Sequence, residues 1–464
     1  MLVPLIVACA FFMEQLDGTV IATALPQMAR SFHTNVVDLS VGMTAYLLTL
    51  GVFIPVSGWV ADRFGARNVF CAAIVVFALA SIACGVANGI EMFVLARIVQ
   101  GIGGAMMVPV GRVVVLRTSE KRDLMRAIAY ITWPGLVAPV IGPPVGGFIT
   151  TFASWRWIFF LNVPIALVGI VLVLRYFAND HATARRPFDS AGFVFSAVAI
   201  SSLMQLLDVL ARSPIDGRFA AILFLMFAFN GTLAVRHARS HPQPLVSLAA
   251  LRIRTFETGA ISGALLFRSM LGTAPFLLPL MFQEGFGLSA FLFGLYLFAF
   301  AGGNLGMKTV TTRLLRGFGF RNVLIVNGAL CAATMFACGQ LAASFSPLVI
   351  ALVVFAAGAA RSLQFTGINT LSFVDVPKAE MSAASTLSST VQQLSFGLGI
   401  ALGALVLHAS VTLRAGARAA FAPADFRVAF TVVSFVLLLS VLPFLRIPPD
   451  AGAEVSGHKP PVAA

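Results

Sequence analysis

The feature that most constrains this chain is a succession of long, uninterrupted apolar stretches running from Val3 to Arg446. Each is about 20 residues long, which is what a helix needs to cross a bilayer's hydrocarbon core of about 30 Å. The chain is 59% hydrophobic and 11% charged, with a mean hydropathy of +0.95, and no water-soluble core could hide that much apolar surface. The stretches are continuous rather than alternating, which excludes a membrane β-barrel. The pattern predicts an all-α polytopic membrane protein with about fourteen spans. They fall at 3–25, 40–60, 69–88, 91–112, 127–150, 157–177, 190–210, 218–237, 256–282, 288–310, 321–341, 346–370, 382–408 and 425–446.

The formal net charge of +13 invites a nucleic-acid partner, and the placement of the charges argues against one. Basic residues concentrate in alternate loops: Asp62–Asn68, Leu116–Arg126, Ala178–Asp189, His237–Arg254 and Thr311–Arg321. That asymmetry is the positive-inside rule. It predicts cytoplasmic termini and a basic surface facing anionic lipid headgroups rather than nucleic acid. Residues 1–25 superficially resemble a signal peptide, but they lack a basic n-region and acids interrupt the apolar run, so a retained first span is expected. The five cysteines all lie in apolar spans without a CxxC, as packing residues, with no disulfide or metal site expected. The segment after Arg446 is polar and Pro-rich, and a disordered tail at 447–464 is expected.

The first span carries Glu14 and Asp17, one turn apart on the same helical face. A charge at bilayer depth costs at least about 2.5–3.5 kcal/mol, so such residues face protein or a water-filled path. A carboxyl there can bind and release a proton as its surroundings change, which is what proton coupling requires. The structural alternatives are that Asp17 bonds a neighbouring helix or caps a broken turn, and that Glu14 snorkels. Three basic residues, Arg97, Arg268 and Arg361, fall well inside the drawn spans, away from their ends, and need acceptors. For Arg97, Asp17 or Glu14 is the natural partner. Arg268 either lines a substrate path or pairs with Glu257 or Glu284. Arg361 either binds backbone carbonyls or lines a cavity opposite Arg97.

An internal repeat divides the chain. Phe64-Gly65-Ala66-Arg67-Asn68-Val69 recurs as Phe318-Gly319-Phe320-Arg321-Asn322-Val323, and Arg97-x-x-Gln100-x-x-Gly103 as Arg361-x-x-Gln364-x-x-Gly367. The copies sit in equivalent places of two six-span halves if the spans at 190–210 and 218–237 are an insertion. Two related halves are a common plan for secondary transporters, with the substrate path between them. The expected organisation is an N-terminal bundle at 1–177, an inserted helix pair at 178–254 and a C-terminal bundle at 255–446.

Three motifs add detail. The first basic loop reads Gly58-x-x-x-Asp62-Arg63-x-Gly65-x-Arg67, with glycines for close approach and a tight turn and an acid that can latch a neighbouring helix end or cation. The fourth span carries Arg97, Gln100, Gly101 and Gly104 on one face, a close-packed side bearing a buried cation. The fifth span places Gly135, Pro139, Gly142 and Gly146 on one stripe, followed by Gly147, with Pro143 and Pro144 expected to bend the helix.

In this order and at these spans, GxxxDRxGxR, RxxQGxGG and GPPxGG resemble the signature set of the major facilitator superfamily. Leu16–Pro26 (LDGTVIATALP) and Trp155–Ile165 (WRWIFFLNVPI) are similar to its fourteen-span drug:proton antiporter branch. The resemblance implies a major facilitator fold with two extra helices. It implies that Asp17, with Glu14 nearby, and Arg97 couple protons, and that Gly58, Asp62, Arg63, Gly65 and Arg67 form an inner-loop gate. It also implies that Gly135, Pro139, Gly142, Pro143, Gly146 and Gly147 form the antiporter motif. Gln100, Arg268, Arg361 and Gln364 are candidates for the substrate path. The chain departs from the pattern at Ala66-Arg67-Asn68, where two consecutive basic residues are more usual, and at Arg316, which stands where the repeat's register would put the counterpart of Asp62. The implied function is secondary export of amphipathic drug-like compounds in exchange for protons by alternating access, in a bacterial cytoplasmic membrane. No cofactor is implied beyond the proton gradient. A periplasmic adaptor protein is a further candidate partner. A dedicated metabolite exporter (siderophore or sugar-like) and a non-transporting receptor of the same fold are the alternatives. The spans hold no HExxH or GxSxG and the loops no Walker sequence, which argues against an enzyme or an ATP-driven pump.

Overall fold

The computed structural model describes residues 2–34, 36–120, 123–178, 187–211, 216–288, 290–416 and 421–458. Among them the regular structure is helical throughout. The first half contains α1 (Leu2–Ser31), α2 (Val36–Phe53), α3 (Ser57–Phe64), α4 (Ala66–Val86), α5 (Ile90–Thr118), α6 (Leu124–Thr132), α7 (Pro134–Phe152), α8 (Arg156–Phe160) and α9 (Asn162–Tyr176). A pair follows, α10 (Ser190–Ala211) and α11 (Gly217–Ser240). The second half contains α12 (Arg254–Glu257), α13 (Ala264–Leu280), α14 (Ala290–Gly339), α15 (Pro347–Phe373), α16 (Met381–Ala415) and α17 (Pro423–Leu439), and α18 (Ala453–Ser456) closes the chain.

Twelve of the helical segments are long and apolar enough to cross a membrane. One of these, Leu292–Gly339, contains two helices merged across Gly319, and the predicted span at 127–150 is divided between α6 and α7 at Trp133. The tally is compatible with fourteen spans. The protein is therefore an integral membrane protein of helical spans. Expected and observed boundaries differ where proline or glycine intervenes. Pro55 turns the end of α2 into a 3₁₀ turn before α3. In the fifth span the interruption falls at Trp133–Pro134, and α7 stays helical through Pro143 and Pro144, where a bend was expected.

The sequence repeat has a backbone counterpart. Gly65 (φ 84°) joins α3 to α4, and Gly319 (φ 73°) kinks α14. Both occupy a region that side chains disfavour, so the same dipeptide makes the same tight connection in each half. The first half packs around α1, which lies against α7, α9 and α5, with α4 paired to α5; in the second, α14 pairs with α15 and α13 with α16. Small residues allow close approach: at Gly142 a side chain would collide with Thr19 of α1, whose Oγ1 donates to Ala138 O at 3.3 Å. The inserted α10 contacts both α2 and α16, with Met204 against Gly51 and Leu207 against Gly397. α11 leans on α10 and exposes Phe224, Leu225 and Phe229 outward.

The tail corrects the expectation of disorder, as far as it is described. Ile447 and Val455 are buried, Gly452 lies against Phe320, and the His458 ring bonds Arg316 O at 3.0 Å. A few apolar residues in a polar segment suffice to dock it on the kink at Gly319. Trp155 is buried against Phe32 and Phe159, while Trp157 is exposed.

Candidate functional site

The chemistry-bearing residues of the first half converge on Asp17. Its side chain is fully buried, and Oδ2 accepts from Arg97 Nη1 at 2.6 Å. Oδ1 accepts from Gln100 Nε2 at 3.0 Å and Asn162 Nδ2 at 2.9 Å. Arg97 also donates to Gln100 Oε1 at 2.7 Å and lies 4.1 Å over the Tyr46 ring. Asn162 reaches Ser81 Oγ at 2.9 Å, and Ser81 donates to Phe159 O. Five helices thus contribute: α1 the acid, α5 the cation and amide, α2 the tyrosine ring, α9 the asparagine and α4 the serine. The pairing of Arg97 with Asp17 matches the sequence expectation. Asn162 was missed; its signal was a lone amide inside an apolar run.

Glu14 lies one turn away and is also buried, close to Gly104, and its Oε2 has no hydrogen-bond partner. Neither Asp17 nor Glu14 lines the cavity that Phe11, Gln15 and Arg112 help to wall.

The inner-loop motif is assembled as a latch. Asp62 accepts from Arg117 Nη2, at the end of α5, at 3.1 Å, and both groups are partly exposed. Arg63 lies over the Trp59 and Phe64 rings, and Arg67 Nη2 donates to Leu174 O at 2.6 Å. Gly58 is where the two halves meet. A Cβ there would lie 2.6 Å from Thr386 Oγ1, and Gly58 O accepts from Ser382 Oγ at 3.2 Å.

Every hydrogen bond joining the halves, among the described residues, lies at the end bearing these basic loops. Ser57 and Thr386 hydroxyls meet at 3.2 Å, and Ser385 Oγ donates to Pro109 O at 2.9 Å. Arg112 Nη1 donates to Ser389 Oγ at 3.3 Å, and Lys308 Nζ donates to Thr132 Oγ1 at 2.7 Å and Ala129 O at 3.2 Å. The second half's core also recruits Leu116, Leu124, Met125 and Ile128 from α5 and α6. The halves are closed on each other at that end. Above the closure lies a cavity of about 100 Å³, walled by Phe11 and Gln15 of α1, Arg112 of α5, Phe365 and Asn369 of α15, and Gln392 of α16.

The remaining predicted residues separate. Gln100 belongs to the Asp17 network. Its repeat counterpart Gln364 is a structural bridge in the second half, accepting from Asn327 Nδ2 at 3.0 Å and donating to Leu324 O at 3.1 Å. Arg361 lies over the Phe300 ring beside a small, mostly apolar cavity and pairs with no carboxylate among the described residues. Arg268 is wholly buried and pairs with neither Glu257 nor Glu284; it donates to Ser388 O, Ser388 Oγ and Asn369 Oδ1 at 3.2–3.3 Å. Of the fifth-span motif, Gly142 sits at the contact with α1 and Gly146 is buried, while a side chain at Gly147 would meet nothing. The placements of Gly135, Pro139 and Pro143 within α7 lie outside the described residues beyond their backbone. Arg112 and Lys308 were not anticipated as intramembrane cations, because the spans were drawn to end at or near them.

One group has metal-ligand residue types among the described residues: Asp189, His237 and His241, at the loop end of α10 and α11. Their atoms are already committed. Asp189 accepts from Gly192 N, Leu245 N and His237 Nε2 at 2.8–3.0 Å, and His241 Nδ1 accepts from Gln243 N at 3.2 Å. The cluster caps α10 and ties the chain after α11 to it.

Comparison with known proteins agrees with this architecture. The family model described as Major Facilitator Superfamily matches residues 7–400. A Klebsiella pneumoniae protein named "Putative multidrug resistance protein MdtD" is 36% identical over 97% of this chain and 95% of its own length. An Escherichia coli protein of the same name is 34% identical over 97% and 95%. Among solved structures, the proton:xylose symporter XylE superposes with a TM-score of 0.67 at 15% identity, covering 97% of this chain and 96% of its own. The human organic anion transporter MFSD10 gives 0.65 at 14%, covering 96% and 99%. At such identities the solved structures speak to the fold alone, while the family model and the full-length relatives speak to descent: the chain belongs to the Major Facilitator Superfamily.

Proposed function

We propose that the protein is a proton-coupled exporter of amphipathic, drug-like compounds in a bacterial inner membrane, with both termini and the basic loops on the cytoplasmic side. The observation that carries this reading is the buried Asp17–Arg97–Gln100–Asn162 network inside one of two halves that, among the described residues, are hydrogen-bonded to each other at one end only. Full-length kinship with proteins named for multidrug resistance supports the substrate class.

With the basic-loop end closed, the cytoplasmic route is shut. Opening it requires the bonds at Gly58, Pro109, Arg112 and Lys308 to part, a concerted change of the two-state kind. Asp17 is sealed from solvent in this conformation and ion-paired to Arg97. Proton uptake therefore belongs to a conformation in which that contact loosens. Protonating Asp17 removes the partner of Arg97, so proton binding and the arrangement of α1, α5 and α9 are thermodynamically linked. Glu14, one turn away with an unbonded oxygen, is the second candidate carrier, and the Asp62–Arg117 latch is the gate at the loop end. The proton gradient serves as energy source without a cofactor. A periplasmic adaptor would be detected by co-purification.

The test is efflux in cells lacking other pumps and in proteoliposomes under an imposed ΔpH, comparing wild type with Asp17→Asn. The expected outcome is ΔpH-driven movement of at least one amphipathic compound by wild type and its loss in the variant. Equal transport by both removes the site assignment, and no transport by wild type across a broad library removes the exporter reading.

A further inference from the structure

Three buried arginines in this protein have different fates. Arg97 has a carboxylate at 2.6 Å. Arg112 and Arg268 have none among the described residues, although burying an unpaired charge is among the most expensive things a fold can do. Arg112 comes from the first half, is 7% exposed, lines the cavity and uses one donor on a long bond to Ser389 Oγ. Arg268 comes from the second half and stands directly behind the same wall. It is held by Ser388 and by Asn369, which also lines the cavity, and its Nε has no partner. Ser388 and Ser389 are consecutive, so the two guanidinium groups flank one turn of α16 and lie within electrostatic range of each other. Hydroxyl and amide dipoles moderate these charges without neutralising them. The rest of the wall is largely apolar, with Phe11, Phe365 and Phe373 beside Val108, Ile128 and Ile131, and Gln392 adds a buried Oε1 that has no partner.

We propose that this cavity binds the anionic group of an amphipathic organic anion, a carboxylate, sulfonate or phosphate, between Arg112 and the Arg268–Asn369–Ser388 cluster, with the apolar wall receiving its apolar body. Guanidinium groups suit such ions because they offer several donors in a fixed plane. An anion here would also bridge the halves where Arg112 meets Ser389, so binding and closure of the basic-loop end favour each other. The inference deepens the exporter reading by naming its substrate class, and it rests on that reading only for the direction of transport.

The experiment measures binding by purified full-length protein in phosphatidylcholine nanodiscs, which contain no anionic headgroups. The probes are a matched series: 2-naphthoate, 2-naphthamide and 2-naphthylmethylammonium. The expected result is that the acid binds at least about tenfold tighter than the amide, and that Arg112→Gln abolishes this preference. Arg112→Lys is expected to retain part of it. Ser389→Asp supplies Arg112 with an internal carboxylate and is expected to remove the preference while raising thermal stability, which keeps the test sharp if Arg112→Gln folds poorly. Equal or tighter binding of the amide or the ammonium compound, no binding of the acid, or an undiminished preference in Ser389→Asp overturns the inference. Transport of the acid in proteoliposomes is scored separately: acid-selective binding without ΔpH-driven movement leaves the anion site standing and removes the exporter reading.

Discussion

Replacing Asp17 by asparagine changes one atom in the most densely bonded polar group of the first half. Its Oδ1 position can stay an oxygen and keep the bonds from Gln100 and Asn162, but an amide nitrogen then faces Arg97 Nη1, donor against donor. Flipping the amide only transfers the conflict to the two donors at Oδ1. Arg97 is 1% exposed, so its charge has no water to turn to. Unit charges about 4 Å apart attract by about 4 kcal/mol at an effective dielectric of about 20. Breaking a buried pair by removing one partner costs about 3–5 kcal/mol. Asp17→Asn is therefore expected to destabilise the protein by about 3–5 kcal/mol, and Arg97→Gln by a similar amount. The double variant removes both charges and leaves amides that can bond each other, so its cost is expected to fall at least about 2 kcal/mol short of the sum. Equilibrium unfolding in mixed micelles, followed by tryptophan fluorescence, measures all three. Additivity within about 0.5 kcal/mol would refute the claim that this pair is energetically coupled.

Two further outcomes follow from the loop end. A valine at Gly58 would drive its Cβ into Thr386, so Gly58→Val is expected to hold the basic-loop end apart. In a chain whose native cysteines are replaced, Ser385→Cys, buried at the closure, should then label with a membrane-impermeant maleimide several-fold faster from that side; unchanged labelling would defeat the reasoning. Asp189→Ala is expected to cost about 1–2 kcal/mol, the worth of a helix cap. Burial opposes the Asp189 charge, but the amides of Gly192 and Leu245 and the His237 ring outweigh it and hold the carboxyl below the usual carboxylate range. Its contribution is thus complete above the ordinary aspartate value of about 4 and lost as pH falls through the lower folded value. The gap in thermal stability between wild type and variant should narrow as pH drops from about 5 towards 3, and a gap constant over that range would contradict the assignment.

Much of the fold was legible because the bilayer leaves few options: continuous apolar runs can only be spanning helices, and a repeated Phe-Gly before an Arg-Asn pair marks repeated backbone geometry, as Gly65 and Gly319 bear out. The pairing of Arg97 with Asp17 was legible because a buried cation must find an acceptor. Arg112 was not. It sits at the drawn end of its span, where a long basic side chain is expected to snorkel, but α5 continues to Thr118 and leaves Arg112 well inside. The same holds for Lys308, since α14 runs on past it without a break until Gly319. The tail was misjudged on composition, which averages away the two residues, Ile447 and Val455, that find a place against the second half. Arg268 was read as either path or pair, and only coordinates could show that neither glutamate reaches it.

The position of α10 has a consequence for how oily molecules could reach the interior. It fills the seam between α2 and α16, two helices that otherwise barely touch. Among the described residues α10 thus occupies the place where a lateral opening between the halves would otherwise lie on that flank. On the opposite flank α7 meets α14 directly, so substitutions that open or crowd that face are expected to alter uptake of lipid-borne compounds more than changes along α10.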